Sequence, residues 1–367
     1  MKNLSNITVV LPSLDPDEKL IAVIDGLLDV GFSDIILVND GSKAENLHYF
    51  ETAATHPEVH LLHHEVNRGK GAALKTAFRW FLENRPDAAG VITVDGDNQH
   101  HPEDTKACAM QMLESGNVVL GCRDFSLPNI PARSRFGNRS TCLVFKIFCG
   151  MTISDTQTGL RAIPSDAVKT FSTIKGDRFE YETNMLLAMK EYGIEYEEVK
   201  IRTVYIEENK SSHFRAVRDS VRIYKLILAH FFRYTISSLL SALADEGLFT
   251  LLTWLLQGVL SGIALTAVPT VTARIASSLL NFFLNKKLVF RSQVSTGKAL
   301  LRYYCLAVPT LLMQLGLTHG LYLLFSIGDD QTILRAVIYA VVMVVLFLVS
   351  YMFQQRWVFS SKTKKGD

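Results

Sequence analysis

Hydrophobic and polar positions follow two different rhythms along the chain. Over the first two hundred residues, short β-branched runs at 7–11, 35–39, 59–63, 91–95 and 118–121 alternate with helix-length segments at 17–30, 43–55, 71–84 and 102–115. Strand-helix alternation of this kind predicts a mostly parallel sheet covered by helices on both faces. Beyond residue 234 the rhythm changes. Four apolar stretches, 235–257, 264–284, 300–325 and 333–353, each reach the roughly 20 residues needed to cross a hydrocarbon core. The expected architecture is therefore an α/β unit followed by an all-α transmembrane unit of four helices.

Charge sharpens that division. Only 12 charged side chains fall in residues 234–360, against 58 in residues 1–233, which excludes a single soluble globule. The expected boundaries are an α/β domain at 1–212, a juxtamembrane segment at 213–233, a membrane domain at 234–360 and a basic tail at 361–367. In the juxtamembrane segment Arg215, Arg218, Arg222, Lys225 and Arg233 are interspersed with Phe214, Val217, Val221, Ile223, Leu226 and Phe231. That pattern predicts a basic amphipathic helix lying at the bilayer interface, with an ordinary surface helix as the alternative.

A formal net charge of +2, with no dense basic face in residues 1–200, argues against nucleic acid as a partner. The five cysteines show no C-x-x-C spacing, so reduced thiols are expected rather than a disulfide framework or zinc site. The run at 7–11 is too short for a signal peptide and leads straight into Pro12. Lys286, Lys287, Arg291 and Lys298 lie in the link after the second span, and Lys362, Lys364 and Lys365 in the tail. The links at 258–263 and 326–332 carry no Lys or Arg, so both termini are expected in the cytoplasm of a bacterial-type inner membrane.

In parallel sheets ligands bind beyond the carboxyl ends of the strands, so the residues just past each strand carry the candidate chemistry. After the first strand stands Pro12-Ser13-Leu14-Asp15, with no G-x-G-x-x-G turn, which disfavours a dinucleotide cofactor. After the second comes Asn39-Asp40-Gly41-Ser42. Asn67-Arg68-Gly69-Lys70-Gly71 follows the third: two glycines flank a lysine at a helix start, which suits a diphosphate and equally suits a plain helix cap. The fourth strand leads into Asp95-Gly96-Asp97-Asn98-Gln99-His100-His101-Pro102. Two carboxylates and a glutamine oxygen on one turn are a donor set for Mg²⁺ or Mn²⁺ on substrate phosphates, with an Asx-type helix cap as the plainer reading. His100 and His101 have no partner at zinc-site spacing.

These motifs, followed by Gly121-Cys122-Arg123-Asp124, stand in an order that resembles family-2 glycosyltransferases of the GT-A fold. Asp155-Thr156-Gln157-Thr158-Gly159-Leu160-Arg161 and Phe179-Glu180-Tyr181-Glu182 narrow the resemblance to the dolichyl- or polyprenyl-phosphate hexose synthases. The resemblance implies that Pro12, Asp15, Asp40 and Lys70 bind a nucleotide-diphosphate sugar. It implies that Asp95, Asp97 and Gln99 hold the metal, and that Arg123, with Arg133 or Arg135, grips the acceptor phosphate. Asp97, Asp155 and Arg123 would form the catalytic group, with Asp155 either ordering the arginines or acting at the sugar. Where the family often has Asn-Glu, this chain has Asp15-Pro16.

A lipid phosphate monoester, with a second pKa near ~6, is largely dianionic at neutral pH and needs alignment and charge screening more than a general base. Single displacement with inversion at the anomeric carbon is therefore expected. Which sugar is moved stays open between UDP-glucose as first choice, GDP-mannose and UDP-N-acetylglucosamine. A processive polysaccharide synthase and a non-catalytic lipid-linked sugar carrier are the alternatives, and homo-oligomerisation is open.

The membrane half resembles the GtrA-like four-helix family through the pattern from Asn281 to Phe290. A weak internal repeat relates Asn285-Lys286-Lys287-Leu288-Val289-Phe290 to Gln354-Gln355-Arg356-Trp357-Val358-Phe359. Asp245, Glu246 and Arg274 fall within spans, where charges face a partner or a wet cavity. An ion pair between the first two spans and contact with a lipid phosphate are both open.

Overall fold

The computed structural model describes residues 3–127, 130, 132–202, 216–328 and 331–360. The polar linker at 207–214, Arg215, Asp329, Asp330 and the lysines of the tail lie outside the described residues, as do the side chains of Arg133, Arg218 and Arg222. Chain contacts divide the protein into two units, Met1–Leu226 and Ile227–Asp367.

In the first unit the alternation becomes β1 (Ile7–Ser13), α1 (Lys19–Asp29), β2 (Ile35–Asp40), α2 (Leu47–Ala53), β3 (Val59–His64), α3 (Lys70–Asn84), β4 (Gly90–Thr93), α4 (Pro102–Ser115) and β5 (Val118–Arg123). Then follow α5 (Ala132–Val144), β6 (Arg161–Pro164), α6 (Ser165–Phe171), α7 (Glu180–Tyr192) and β7 (Tyr196–Ile201). The seven strands form one sheet in the order β3-β2-β1-β4-β6-β5-β7, with only β6 antiparallel to its neighbours.

Strand position follows from residue type. Every residue of β2 is buried, as expected for a central strand covered on both faces, and each large apolar side chain there contributes about 1.5–3 kcal/mol. At the sheet edge, β7 reads Tyr-Glu-Glu-Val-Lys-Ile, and its charges protect an open edge from pairing with another chain. The expected helix at 43–55 is shorter: a 3₁₀ turn (Ala44–Asn46) precedes α2. The expected strand at 91–95 ends at Thr93, which frees Asp95 from the sheet.

The chain leaves β1 toward β2 and β3 on one side and toward β4 on the other. This reversal opens a crevice at the carboxyl ends of β1 and β4. The Pro12 loop and the Asp95 turn stand on its two sides.

The second unit consists of α8 (Ala216–Leu256, which begins before the boundary), α9 (Gly262–Leu284), α10 (Thr296–Leu324) and α11 (Thr332–Phe353). Among the described residues four segments, Phe231–Leu256, Gly262–Val289, Thr296–Leu324 and Thr332–Val358, are long and apolar enough to cross a membrane. α9 and α11 each run on into a π-helical turn, Asn285–Val289 and Gln354–Val358. These are the two repeated motifs, and they meet: Asn285 Nδ2 donates to Gln354 Oε1 at 3.1 Å, a pair 69 residues apart, and the Phe290 and Phe359 rings stack at 5.2 Å.

The same 69-residue spacing separates Tyr234 from Tyr303 and Phe282 from Tyr351. Their contacts exchange accordingly, with Tyr234 against Tyr351 at 5.1 Å and Tyr303 against Phe282 at 5.5 Å. The membrane unit is therefore two copies of one helical hairpin related by an approximate two-fold. What reads as a faint sequence echo is a structural duplication.

Candidate active site

Four loops converge at the carboxyl ends of the strands. Asp40, at the end of β2, is buried and directed at the loop after β3: Oδ1 accepts from the Arg68 N–H at 3.0 Å, and Oδ2 from the Gly69 N–H at 2.7 Å. His64 Nδ1 lies 2.7 Å from Oδ1. Asp40 thus builds the loop that presents Lys70, rather than opening its carboxylate to the crevice. Gly69 is required there. Its φ is 102°, and an added Cβ would stand 2.4 Å from the Asp177 carbonyl oxygen.

Asp15 is likewise tied down. It occupies the left-handed region (φ 48°), and its Oδ1 accepts from the Lys43 N–H at 2.8 Å and from Asn46 Nδ2 at 3.3 Å. It clasps the Pro12 loop to the loop after β2.

Lys70 is the first residue of α3, and its ammonium bridges Asp95 Oδ1 at 2.7 Å and Glu182 Oε1 at 2.9 Å. Burial works against a charged amine, but the two carboxylates outweigh it and hold the ammonium protonated well above the ordinary lysine range. Burial likewise pushes Asp95 up, yet Lys70, with His100 and Arg123 behind it, brings its pKa down to about 2. Asp97 goes the other way. Burial and the neighbouring negative charge of Asp95 raise it to about 6, even though it accepts the Gln99 N–H at 3.1 Å. Burial pushes the His100 imidazole below the ordinary histidine range, against the pull of Asp95, and its Nδ1 accepts the Asp95 N–H at 3.3 Å. His101 caps α4 through the Glu103 N–H at 3.3 Å.

Opposite this turn, Arg123 at the end of β5 forms a two-pronged pair with Asp155, Nε to Oδ2 at 2.7 Å and Nη2 to Oδ1 at 3.2 Å. Asp155 is 0% exposed and also accepts the Arg123 and Gln157 N–H groups. Of its two expected roles, ordering an arginine is the one its surroundings fit; a carboxylate with no exposed surface cannot reach the sugar. Arg135 turns back to the Leu127 and Ile130 carbonyls at 2.8 and 3.4 Å, so it braces its own loop. Arg133 lies on α5, and Arg139 is exposed there.

Three features of the site escape the reading of strand ends. Glu182 completes the cradle of Lys70, and the only signal for it is the Phe179-Glu180-Tyr181-Glu182 motif. Arg161, fully buried, donates from Nη1 to the Glu182 carbonyl at 2.7 Å and from Nε to the Thr158 carbonyl at 3.1 Å. Gly159 backs directly onto the acid turn: a Cβ there would stand 2.3 Å from Asp95 Oδ2. Gly159→Ala is therefore expected to displace the Asp95 carboxylate and cost about 100-fold in turnover, since a misplacement near 1 Å has that scale of effect. Steady-state assay beside a thermal unfolding curve checks this; unchanged turnover would show that Asp95 has room to move.

Among the described residues no three His, Cys, Asp or Glu side chains form a ready-made metal cage. Asp95 and Asp97 nevertheless fit a divalent cation of the Mg²⁺ type, which commonly takes one or two carboxylates and completes its shell with water and substrate phosphates. Even with the Lys70 ammonium against Asp95, burial and the Asp95 charge keep the Asp97 pKa raised, so this turn has room for further positive charge. A pH dependence follows. A cation competes with the Asp97 proton, so Mn²⁺ affinity is expected to be level above pH 6 and to fall about tenfold per unit below it. Titration followed by Mn²⁺ electron paramagnetic resonance between pH 5 and 8 checks it; a level profile through pH 5 would place the cation elsewhere.

Residues 8–163 match the model of glycosyl transferase family 2, and residues 233–359 match the GtrA/DPMS transmembrane domain. The chain is 25% identical over 240 residues to a UDP-N-acetylglucosamine–dolichyl-phosphate N-acetylglucosaminyltransferase of Methanococcus voltae, covering 60% of this chain and 95% of that one. It is 26% identical over 212 residues to an undecaprenyl-phosphate mannosyltransferase of Micrococcus luteus, covering 56% and 86%. A solved structure of glucosyl-3-phosphoglycerate synthase from Mycobacterium tuberculosis, in complex with Mn²⁺, UDP and phosphoglyceric acid, is similar at 15% identity and a TM-score of 0.47, over 61% of this chain and 77% of that one.

Proposed function

From a chain that joins a family-2 glycosyltransferase domain of the GT-A class to a GtrA/DPMS transmembrane domain, we propose a membrane-bound transferase that moves one hexose from a nucleotide-diphosphate sugar to a polyprenyl phosphate. The observation that carries this reading is the pairing of two opposed charge systems at one crevice. The Asp95–Asp97 turn is rich in negative charge and suits a cation. Arg123, fixed by Asp155, suits an incoming phosphate.

Asp95 and Asp97, with Gln99 beside them, would hold Mg²⁺ or Mn²⁺, which when bound neutralises charge on the departing nucleoside diphosphate. Lys70 stands against Asp95 and adds positive charge on the same side of the crevice, at the N-terminus of α3. Pro12 and the Asp15 clasp form the wall toward the nucleoside, while Asp40 fixes the Lys70 loop from below. Arg123 screens and aligns the acceptor phosphate, whose oxygen attacks the anomeric carbon from the face opposite the leaving group. One displacement inverts the configuration. No general base is needed, because the acceptor arrives ionised.

The acceptor is lipid, and α5 suits a lipid surface. Phe136 and Leu143, two turns apart on one face, are 75% and 56% exposed, with exposed Arg139 between them. With both termini in the cytoplasm, as the charged links favour, the crevice faces the compartment where nucleotide sugars are made. UDP-glucose is the first choice of donor, ahead of GDP-mannose and UDP-N-acetylglucosamine, and the product would serve cell-envelope glycan modification.

The experiment is a donor panel. Full-length protein in lipid nanodiscs receives undecaprenyl phosphate, Mg²⁺ or Mn²⁺, and each labelled nucleotide sugar in turn. The expected product is a lipid carrying one sugar of inverted configuration, formed from one donor. Long polymer would instead indicate a processive synthase, and no labelled lipid from any donor would contradict the reading.

A further inference from the structure

The duplication of the membrane hairpin shows what is not duplicated. In the first hairpin Arg274 Nη2 lies 3.0 Å from Asp245 Oδ2, and Ser277 Oγ donates to Asp245 Oδ1 at 2.8 Å. At the same positions, one 69-residue repeat later, the second hairpin has Met343, Gln314 and Leu346. A hairpin of this design folds without the ion pair, so the charges of the first hairpin serve something else.

Their depth makes the point sharper. Asp245 and Glu246 lie midway along the span Phe231–Leu256, and Arg274 midway along Gly262–Val289. At 1.5 Å per residue each stands roughly 15–23 Å from either end, near the centre of a ~30 Å hydrocarbon layer. Yet the Arg274 side chain is 74% exposed, and Glu246 is exposed with no polar partner among the described residues. An ionic group left facing acyl chains at this depth is costly, so it faces a partner or a wet cavity.

Charge decides what covers them. Asp245 and Glu246 set two carboxylates against one guanidinium, and an anionic lipid headgroup would add repulsion. A second copy of this chain offers each Glu246 a guanidinium, and the exposed side of each Arg274, already paired with Asp245 of its own hairpin, is then shared between two carboxylates. Exposed Ala242 and Gly247 flank Glu246 on α8, and small residues at such positions let helices approach closely.

We propose that the chain self-associates as a two-fold dimer through the outer face of α8 and α9, each Arg274 closing on Glu246 of the partner subunit. The contact is isologous, so the two pairs form together and the assembly stops at two.

The test uses the full chain in lipid vesicles at low protein density, with dimer fraction read by single-molecule photobleaching. The wild type is expected to be dimeric. Glu246→Gln and Glu246→Arg are expected to weaken association about tenfold or more. Arg274→Glu alone should be monomeric, while a mixture of Glu246→Arg chains with Arg274→Glu chains, each labelled in its own colour, should recover mixed dimers. Unchanged unfolding of Glu246→Gln shows that the fold survives. A wild type that stays monomeric at every density, or dimers indifferent to Glu246→Arg, would overturn the proposal.

Discussion

Asp97→Ala is expected to lower hexose transfer by roughly 10³-fold or more while leaving the protein folded. The expectation rests on how little Asp97 does for the fold and how much it does for the crevice. Its carboxylate accepts the Gln99 N–H and is attracted by Lys70, but burial and Asp95 outweigh both and push its pKa up to about 6. At neutral pH the ionised group is therefore a destabilising presence in the unliganded protein. Its folded pKa lies above the unfolded value, so for this acid stability is lost as pH rises through that interval. Removing it should raise the unfolding midpoint of the α/β unit by about 2–4 °C, the shift expected for about 1 kcal/mol in a unit of this size. Loss of turnover together with unchanged or higher stability is the signature of a group kept for function. Turnover within a few-fold of wild type, or a protein that unfolds, would count against the assignment.

The second large effect concerns the Arg123–Asp155 pair. Asp155 is fully buried, so Arg123→Ala strands a carboxylate with, among the described residues, only backbone donors, and about 3–5 kcal/mol of stability should be lost. Arg123→Lys separates structure from chemistry. A lysine keeps the charge but cannot reproduce the two-pronged contact at 2.7 and 3.2 Å. It is expected to recover most of the stability, while KM for the lipid phosphate stays about tenfold or more above wild type and KM for the nucleotide sugar is little changed. If Arg123→Lys instead impairs the nucleotide sugar and spares the lipid, Arg123 belongs to the donor side.

Much of this arrangement was legible in the residues. Buried parallel strands such as β2 announce themselves as unbroken apolar runs, and the groups that matter stand where a parallel sheet places them, just past the strand ends. The elements that stayed hidden did so for physical reasons. β6 is four residues long and antiparallel, and β7 carries three charges in six residues because it is an edge, so neither shows the hydrophobic run of a central strand.

Among site residues, the sequence marked which carboxylates gather but not how each is spent. Asp40 and Asp15 resemble ligand-binding acids in a motif, yet their oxygens go to backbone N–H groups of neighbouring loops. That distinction depends on contacts 28 or 29 residues apart in the chain, which no local pattern encodes. Glu182 was hidden for the same reason, since it meets Lys70 only through tertiary packing. The hairpin duplication was faint because the two copies share a few ring and amide positions at the ends of their helices, while the spans between, needing only to be apolar, have diverged.

A cation held by the Asp95–Asp97 turn is proposed to neutralise the leaving diphosphate. Anomalous X-ray scattering at the manganese edge, from crystals of the full chain grown with Mn²⁺ and a non-transferable nucleotide-diphosphate sugar, tests it most directly. One strong peak is expected within about 2.0–2.3 Å of an oxygen of Asp97, beside the diphosphate. A diphosphate bound in the crevice with no peak at this turn, or a peak held by other side chains, would contradict it.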